Sequence, residues 1–79
     1  MERYELIPNN GRKSFNHKAV VEIDSDGNKT LYSYLTPIVK RKTNGDLIRL
    51  WDGWSATTGS HIKAFCGLNK GEFLNLEME

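Results

Sequence analysis

The 79-residue sequence contains a single cysteine, Cys66, which excludes an intramolecular disulfide and a zinc site built from several cysteines. Small secreted domains commonly need such cross-links. No apolar run approaches the roughly 18 residues that a membrane-spanning helix requires. The opening residues, MERYELIPNN, also lack the basic start and apolar stretch of a signal peptide. These absences predict a protein of the reducing cytoplasm without a membrane segment.

The sequence also has little net charge. Its 11 Lys and Arg residues oppose 10 Asp and Glu residues, which leaves a formal charge of +1 and no overall attraction to nucleic acid or anionic lipid. The hydrophobic content of 38% is ordinary for a globular domain, whereas a disordered chain has less apolar surface and more net charge. The length favours one domain over residues 1–79 with a small core.

Turn residues divide the chain into short segments that alternate apolar and polar side chains. A first strand is predicted over Arg3–Ile7, ended by the turn residues that follow it. A second strand over His17–Asp24 precedes Asp26-Gly27, a dipeptide typical of two-residue hairpin turns. With those two residues at the centre of the turn, Val21 faces Tyr32 on the next strand.

The dipeptide Asn44-Gly45 predicts a second hairpin, with a type I′ turn in which both residues have positive φ. In that register Ile38 faces Trp51, which places Trp51 in the core. Thr36-Pro37 lies between the two hairpins, and proline cannot donate a ladder hydrogen bond. We therefore expect a bend or a bulge at that point.

The hydroxyl-rich segment after Trp51 predicts a helix. Its hydroxyl groups suit an N-cap, for which Thr57 and Thr58 are the candidates, and Gly67 suits the left-handed residue after the end of the helix. The helix should span roughly residues 58–66. The last segment, residues 71–79, alternates apolar and polar side chains and predicts a final strand. Together these elements predict an α+β fold, a small single domain whose curved antiparallel sheet of four to six strands carries one short helix.

Catalytic and metal-binding residues are sparse. His61 and Cys66 are five residues apart, a spacing that turns their side chains away from each other on a helix. The other histidine, His17, forms no metal-ligand spacing with His61. No base or oxyanion site can be assigned, so we expect no enzyme, metal or cofactor. Beside protein binding and nucleic-acid binding, a third possible class of function is an enzyme that uses the hydroxyl-rich turn.

Trp54 is the most conspicuous candidate binding residue, because it follows Gly53 in a turn just before the predicted helix. An exposed tryptophan in such a loop can anchor a partner. Alternatively, Trp54 caps the end of the core. The candidate binding surface comprises Trp54, Ser55, Thr57 and His61.

A basic run, Lys40, Arg41 and Lys42, provides an alternative site. The predicted register places Arg49 opposite Lys40, so these four residues could form a basic face that binds nucleic acid. The competing interpretation is an edge hairpin that its lysines protect from aggregation. We favour the second interpretation.

The segment YSYLTPIVKRKTNGDLIRLWDGWSATTGSHIKAF resembles a group of small uncharacterised proteins of phages and other bacterial mobile elements. Their pattern is SYxTxI, a hairpin, and then SATTxxHIxxF. The matching residues are Ser33, Tyr34, Thr36, Ile38, Ser55, Ala56, Thr57, Thr58, His61, Ile62 and Phe65. The resemblance implies a mobile-element origin and a location in the host cytoplasm. The leading hypothesis is a non-enzymatic binding module, an accessory protein that contacts a host or phage protein.

Overall fold

A computed structural model describes residues 2–6 and 18–78. Within them, a five-stranded antiparallel sheet has its strands in chain order, each paired with its neighbour in sequence, and two short helices follow the sheet. The elements are β1 Glu2–Glu5, β2 Ala19–Ile23, β3 Lys29–Ser33, β4 Thr36–Arg41, β5 Leu47–Arg49, α1 Ala56–Cys66 and α2 Lys70–Leu74. The predicted α+β fold with an antiparallel sheet is confirmed. The turn predicted after the first strand and His17 lie outside the described residues.

The core lies between one face of the sheet and the two helices. Alternate residues of β2 and β3 point to this face, as strand geometry requires, and the helices contribute one residue each. The buried hydrophobic side chains are Leu6, Ala19, Val21, Leu31, Ile38, Val39, Ile62 and Phe73. Both tryptophans are half-buried and pack against this cluster. Of the helices in the described part of the chain, neither has the length and apolarity that crossing a bilayer requires.

The β2–β3 hairpin has a three-residue loop in place of the predicted two-residue turn. Asp24 and Asn28 face each other across it, since Asp24 N donates to Asn28 O over 3.1 Å. The predicted register is therefore wrong by one residue, and Val21 faces Leu31 instead of Tyr32. A shift of one residue exchanges the faces of a strand, and it places Leu31 in the core.

The Asp24 carboxylate stabilises this longer loop. It accepts hydrogen bonds from the backbone N–H of Asp26 at 2.9 Å and of Asn28 at 3.0 Å. Desolvation acts to raise the pKa of Asp24, but these hydrogen bonds and the positive charge of Lys40 outweigh it and lower the pKa below its ordinary value. The loop thus favours the ionised carboxylate.

The β4–β5 hairpin also has a three-residue loop, Thr43–Gly45. Lys42 N donates to Asp46 O at 2.8 Å, and Gly45 N donates to Lys42 O at 2.9 Å. Gly45 has a φ of 93°, whereas Asn44 is not among the residues with positive φ. The prediction that both residues have positive φ is wrong. The Asn44 side chain instead accepts from Asp46 N at 3.0 Å, which favours the longer loop.

The change of register moves the side chains of β5 to the opposite face from the one predicted. Arg49 pairs with Val39, and Lys40 pairs with Ile48, so Arg49 does not face Lys40. Trp51 lies beyond the end of β5, and it does not pair with Ile38 because Leu50 N donates to Ile38 O.

The bulge predicted near Thr36-Pro37 is confirmed. Leu31 pairs with Val39 whereas the next residue, Tyr32, pairs with Pro37, so Ile38 is the extra residue on β4. Bulged residues alter the alternation of side chains along a strand. Consequently the adjacent residues Ile38 and Val39 are both buried.

A third hairpin, which the sequence did not indicate, joins β3 to β4. Ser33 pairs with Thr36, and the two residues between them, Tyr34 and Leu35, have φ values of 52° and 74°. Two-residue hairpin loops with positive φ at both positions are normally built from asparagine and glycine. A Tyr-Leu dipeptide therefore gives no turn signal.

Helix α1 starts earlier than predicted. Its N-cap is Ser55, whose Oγ accepts from Thr58 N at 3.1 Å, so neither Thr57 nor Thr58 is the cap. The predicted end is confirmed, because Gly67 has a φ of 76° and its N–H bonds to Lys63 O.

The predicted final strand is wrong. Residues 70–74 form helix α2, whose N-cap Asn69 exchanges hydrogen bonds with Glu72 in a capping box. This helix places Phe73 in the core with none of its surface exposed. In the described part of this segment, a single parallel bridge joins Met78 to Arg49.

Candidate functional site

A cleft of about 350 Å³ opens where the turn between β3 and β4 meets the start of α1. We call it the hairpin cleft. Hydroxyl groups and aromatic rings make up much of its wall. The lining residues are Ser33, Tyr34, Thr36, Ile38, Trp51, Ser55, Thr57 and Thr58. Such a mixture of apolar surface and convergent polar groups is typical of binding sites.

A buried polar network lies behind this wall. Ser33 Oγ is 2.8 Å from His61 Nδ1 and 3.3 Å from Thr58 Oγ1. The three residues are almost completely buried, with 3% of Ser33 and 1% of His61 exposed. Buried polar groups stabilise a fold only when they are hydrogen-bonded. This network therefore fixes α1 against the end of β3, directly beneath the turn.

The rim of the cleft carries two large exposed side chains. Tyr34 is 51% exposed and Leu35 is 87% exposed. The centroid of the Tyr34 ring lies 6.0 Å from that of the His61 ring and 5.3 Å from Lys18 Nζ. Leu35 extends into solvent at the tip of the hairpin. Both residues have positive φ, which costs a non-glycine residue about 1–2 kcal/mol.

The structure does not bring the four predicted binding residues together. Ser55 and Thr57 line the hairpin cleft, and His61 lies behind it in the buried network. Trp54 instead lines a separate cavity of about 280 Å³ beside the start of α2. The predicted site is thus divided between two places.

Trp54 packs as part of the core boundary. Its ring lies 5.8 Å from the Phe73 ring at 48°. A Cβ at Gly59 would lie 2.5 Å from Trp54 Cζ2, so the indole rests directly on the helix backbone. This geometry matches the interpretation in which Trp54 caps the end of the core.

Sequence reasoning missed Leu35 altogether, and it did not place Ser33, Tyr34 or Thr36 in the candidate binding surface that contains Trp54. Ser33, Tyr34 and Thr36 belong to the pattern shared with the mobile-element proteins. That pattern was the signal in the sequence that could have indicated this site. The turn itself could not be predicted, because tyrosine and leucine disfavour positive φ.

Cys66 lies away from the cleft and is half-buried. Its Sγ donates to Ile62 O over 3.4 Å. Burial raises the pKa of the Cys66 thiol, which disfavours the reactive thiolate. Among residues 2–6 and 18–78, no group of three or more His, Cys, Asp or Glu side chains is placed to hold a metal ion.

The four candidate nucleic-acid-binding residues occupy different faces of the sheet. Arg41 and Arg49 lie on the core face, with their guanidinium carbons 5.4 Å and 5.8 Å from the rings of Phe65 and Phe73. Lys40 follows the buried Val39 and therefore points to the other face. Lys42 is exposed at the start of the loop that follows β4. The four cations do not share the face that was predicted.

Comparison with known proteins gives a family but no activity. No curated protein and no solved structure matches this chain. Residues 4–74 match a family described as a family of unknown function, DUF8033. Because this match covers most of the sequence, the chain belongs to the DUF8033 family.

Proposed function

We propose that this chain is a non-enzymatic binding module, an accessory protein of a phage or mobile element, which docks on a host or phage protein in the host cytoplasm. It uses the tip of the β3–β4 hairpin and the adjoining hairpin cleft. The observation that carries this proposal is Leu35, which is 87% exposed on a turn where its backbone has a φ of 74°.

The backbone energetics favour a binding role for this turn. Asparagine and glycine adopt positive φ at little cost, whereas Tyr34 and Leu35 each cost about 1–2 kcal/mol there. The exposed Leu35 side chain returns little of that energy through packing within the chain. Sparsely populated backbone conformations are concentrated at functional sites. A side chain kept at such a position is best explained by a contact outside this molecule.

The chemistry of the tip suits an apolar pocket on a protein surface. Fully burying a leucine side chain is worth about 1.5–3 kcal/mol. Tyr34 adds a half-exposed ring with a polar hydroxyl, a combination that is enriched at the energetically important positions of interfaces. The cleft behind the tip offers the Thr57 hydroxyl and the half-buried Trp51 ring to a partner's main chain.

The tip is also held in place before binding. The hydrogen bonds that Ser33 shares with His61 and Thr58 tie the base of the turn to α1. Tyr34 N donates to Lys18 O at 2.9 Å, which ties the turn to the start of β2. A rigid binding surface loses less conformational entropy on association. Most residues that carry the resemblance to mobile-element proteins also line this cleft.

Capture from a nuclease-treated host lysate tests the proposal. The Leu35→Ala variant should lose a protein that the wild-type chain retains, because the anchoring side chain is gone. Tyr4→Ala is the matched control, since Tyr4 is 42% exposed on β1, away from the cleft. A protein retained equally by Leu35→Ala and wild type would contradict the proposal. Capture that occurs in an untreated lysate but not after nuclease treatment would favour the nucleic-acid alternative.

A further inference from the structure

A second cavity, of about 290 Å³, lies at the end of the sheet opposite the hairpin cleft, between the β2–β3 and β4–β5 loops. We call it the basic cavity. Its lining residues are Gly27, Lys29, Arg41, Lys42, Thr43 and Gly45. We propose that the basic cavity binds a phosphate group, either inorganic phosphate or the phosphate of a small phosphomonoester. This site is independent of the proposed docking surface.

The cross-strand pairing places two like charges together. Lys29 of β3 is directly opposite Arg41 of β4, so both side chains lie on the same face of the sheet. Like charges in directly opposed positions destabilise a strand pair. Lys42 adds a third cation at the end of the same strand. A bound anion would convert this repulsion into attraction.

The described part of the chain supplies no carboxylate that pairs with these cations. The ion pair within 4.0 Å that joins Arg3 to Glu22 lies between β1 and β2 and involves none of these three cations. Three acidic residues lie in or beside the neighbouring loops: Asp24, Asp26 and Asp46. Asp26 forms no ion pair within 4.0 Å with these cations, and the other two accept hydrogen bonds from neighbouring side chains. Asp24 accepts from Asn28, and Asp46 accepts from Asn44.

The cavity is preorganised by contacts between its two loops. Thr43 N donates to Asn28 Oδ1 at 3.1 Å, which joins the β4–β5 loop to the β2–β3 loop. The Arg41 guanidinium rests 5.4 Å from the Phe65 ring, which restricts its orientation. An oriented guanidinium presents paired N–H groups that match two phosphate oxygens.

The shape and donor set favour phosphate over a larger ligand. A volume of about 290 Å³ is near the lower limit for ligand pockets, so it suits one phosphate group with a small substituent. Lys29 and Lys42 supply point charges, and the Thr43 hydroxyl can donate to a phosphate oxygen. Three positive charges match a dianion better than a single carboxylate.

Titration of the full chain at low ionic strength, followed by amide NMR, tests this proposal. Inorganic phosphate and phenyl phosphate should each cause saturable shifts at Gly27, Thr43 and Gly45. Stronger binding of phenyl phosphate would identify the phosphomonoester as the source. Lys29→Ala should weaken binding by about tenfold or more, since it removes a charge-assisted contact. Lys18→Ala, which removes a lysine at the other end of the sheet, should leave the affinity within about twofold.

Melting temperatures provide a second readout. Phosphate should raise the melting temperature of the wild-type chain above its value in chloride at equal ionic strength, because it binds only the folded state. In chloride, the Lys29→Ala variant should melt close to the wild-type temperature. Phosphate should raise its melting temperature much less than it raises that of the wild-type chain.

Three results would overturn the proposal. One is the absence of saturable shifts. Another is an equal loss of affinity in Lys18→Ala, which would indicate general charge attraction. The third is a single-stranded oligonucleotide that binds more tightly than phenyl phosphate and depends on Lys40 as strongly as on Lys29, which would indicate a nucleic-acid surface.

Discussion

Replacing Leu35 with glycine separates the stability of this chain from its proposed binding role. Leucine at positive φ costs about 1–2 kcal/mol, and glycine removes that cost. Glycine also loses more backbone entropy on folding, which destabilises the folded chain by about 0.5–1 kcal/mol and offsets part of that gain. Because Leu35 is 87% exposed, the substitution removes little packing. The net effect should be a stabilisation of about 0.5–1 kcal/mol, or about 2–8 °C in melting temperature for a domain of this size.

Leu35→Ala is the matched control for this experiment. It removes the same side chain but keeps a Cβ at a φ of 74°, so its melting temperature should stay close to the wild-type value. Both variants should lose the partner equally. Circular dichroism melts and chemical denaturation measure the first effect, and partner capture measures the second. A Leu35→Gly chain that melts below wild type would refute the argument that this turn is strained.

Further substitutions test the local assignments. Ser55→Ala should destabilise the chain by about 1 kcal/mol in urea unfolding, whereas Thr57→Ala should have little effect, because only Ser55 caps α1. Gly45→Val should lower the melting temperature by several degrees, since φ is 93° there, and Asn44→Ala should cost less; equal losses would contradict the three-residue loop. The folded state lowers the pKa of Asp24, so its contribution to stability is present above its unfolded pKa and is lost as pH falls below about 4. The Asp24→Asn variant should lack that part of the loss of stability at low pH, which urea titrations at a series of pH values would measure.

The parts of the fold that the sequence predicted correctly depend on local chemistry. Alternating apolar residues in β2 and the glycine-containing turns predicted the hairpins, and Gly67 predicted the end of α1. The registers were wrong because the side chains of Asp24 and Asn44 each stabilise a loop one residue longer than a type I′ turn. Local dipeptides alone do not show these side-chain hydrogen bonds.

Other features depend on tertiary contacts. The final segment has the alternation of a strand, yet the capping box of Asn69 and Glu72 and the burial of Phe73 make it a helix. The hairpin cleft requires Ser33 and His61, 28 residues apart, to meet in the core. Ser55 and Thr57 were predicted as binding residues because they follow Trp54 in the sequence, and the fold places them on the wall of the hairpin cleft.

The strained turn between β3 and β4 has a consequence for the order of folding. Each strand pairs with the preceding one, so the chain forms mainly local contacts and should fold rapidly. Hairpins whose loops contain Gly27 and Gly45 can close early, because glycine adopts positive φ easily. The Tyr34–Leu35 turn needs neighbouring contacts to compensate for its backbone energy, so we expect it to close after α1 has docked. In the native state the Ser33–His61 contact holds this turn to α1, so its amides should exchange with solvent only when α1 separates from the sheet.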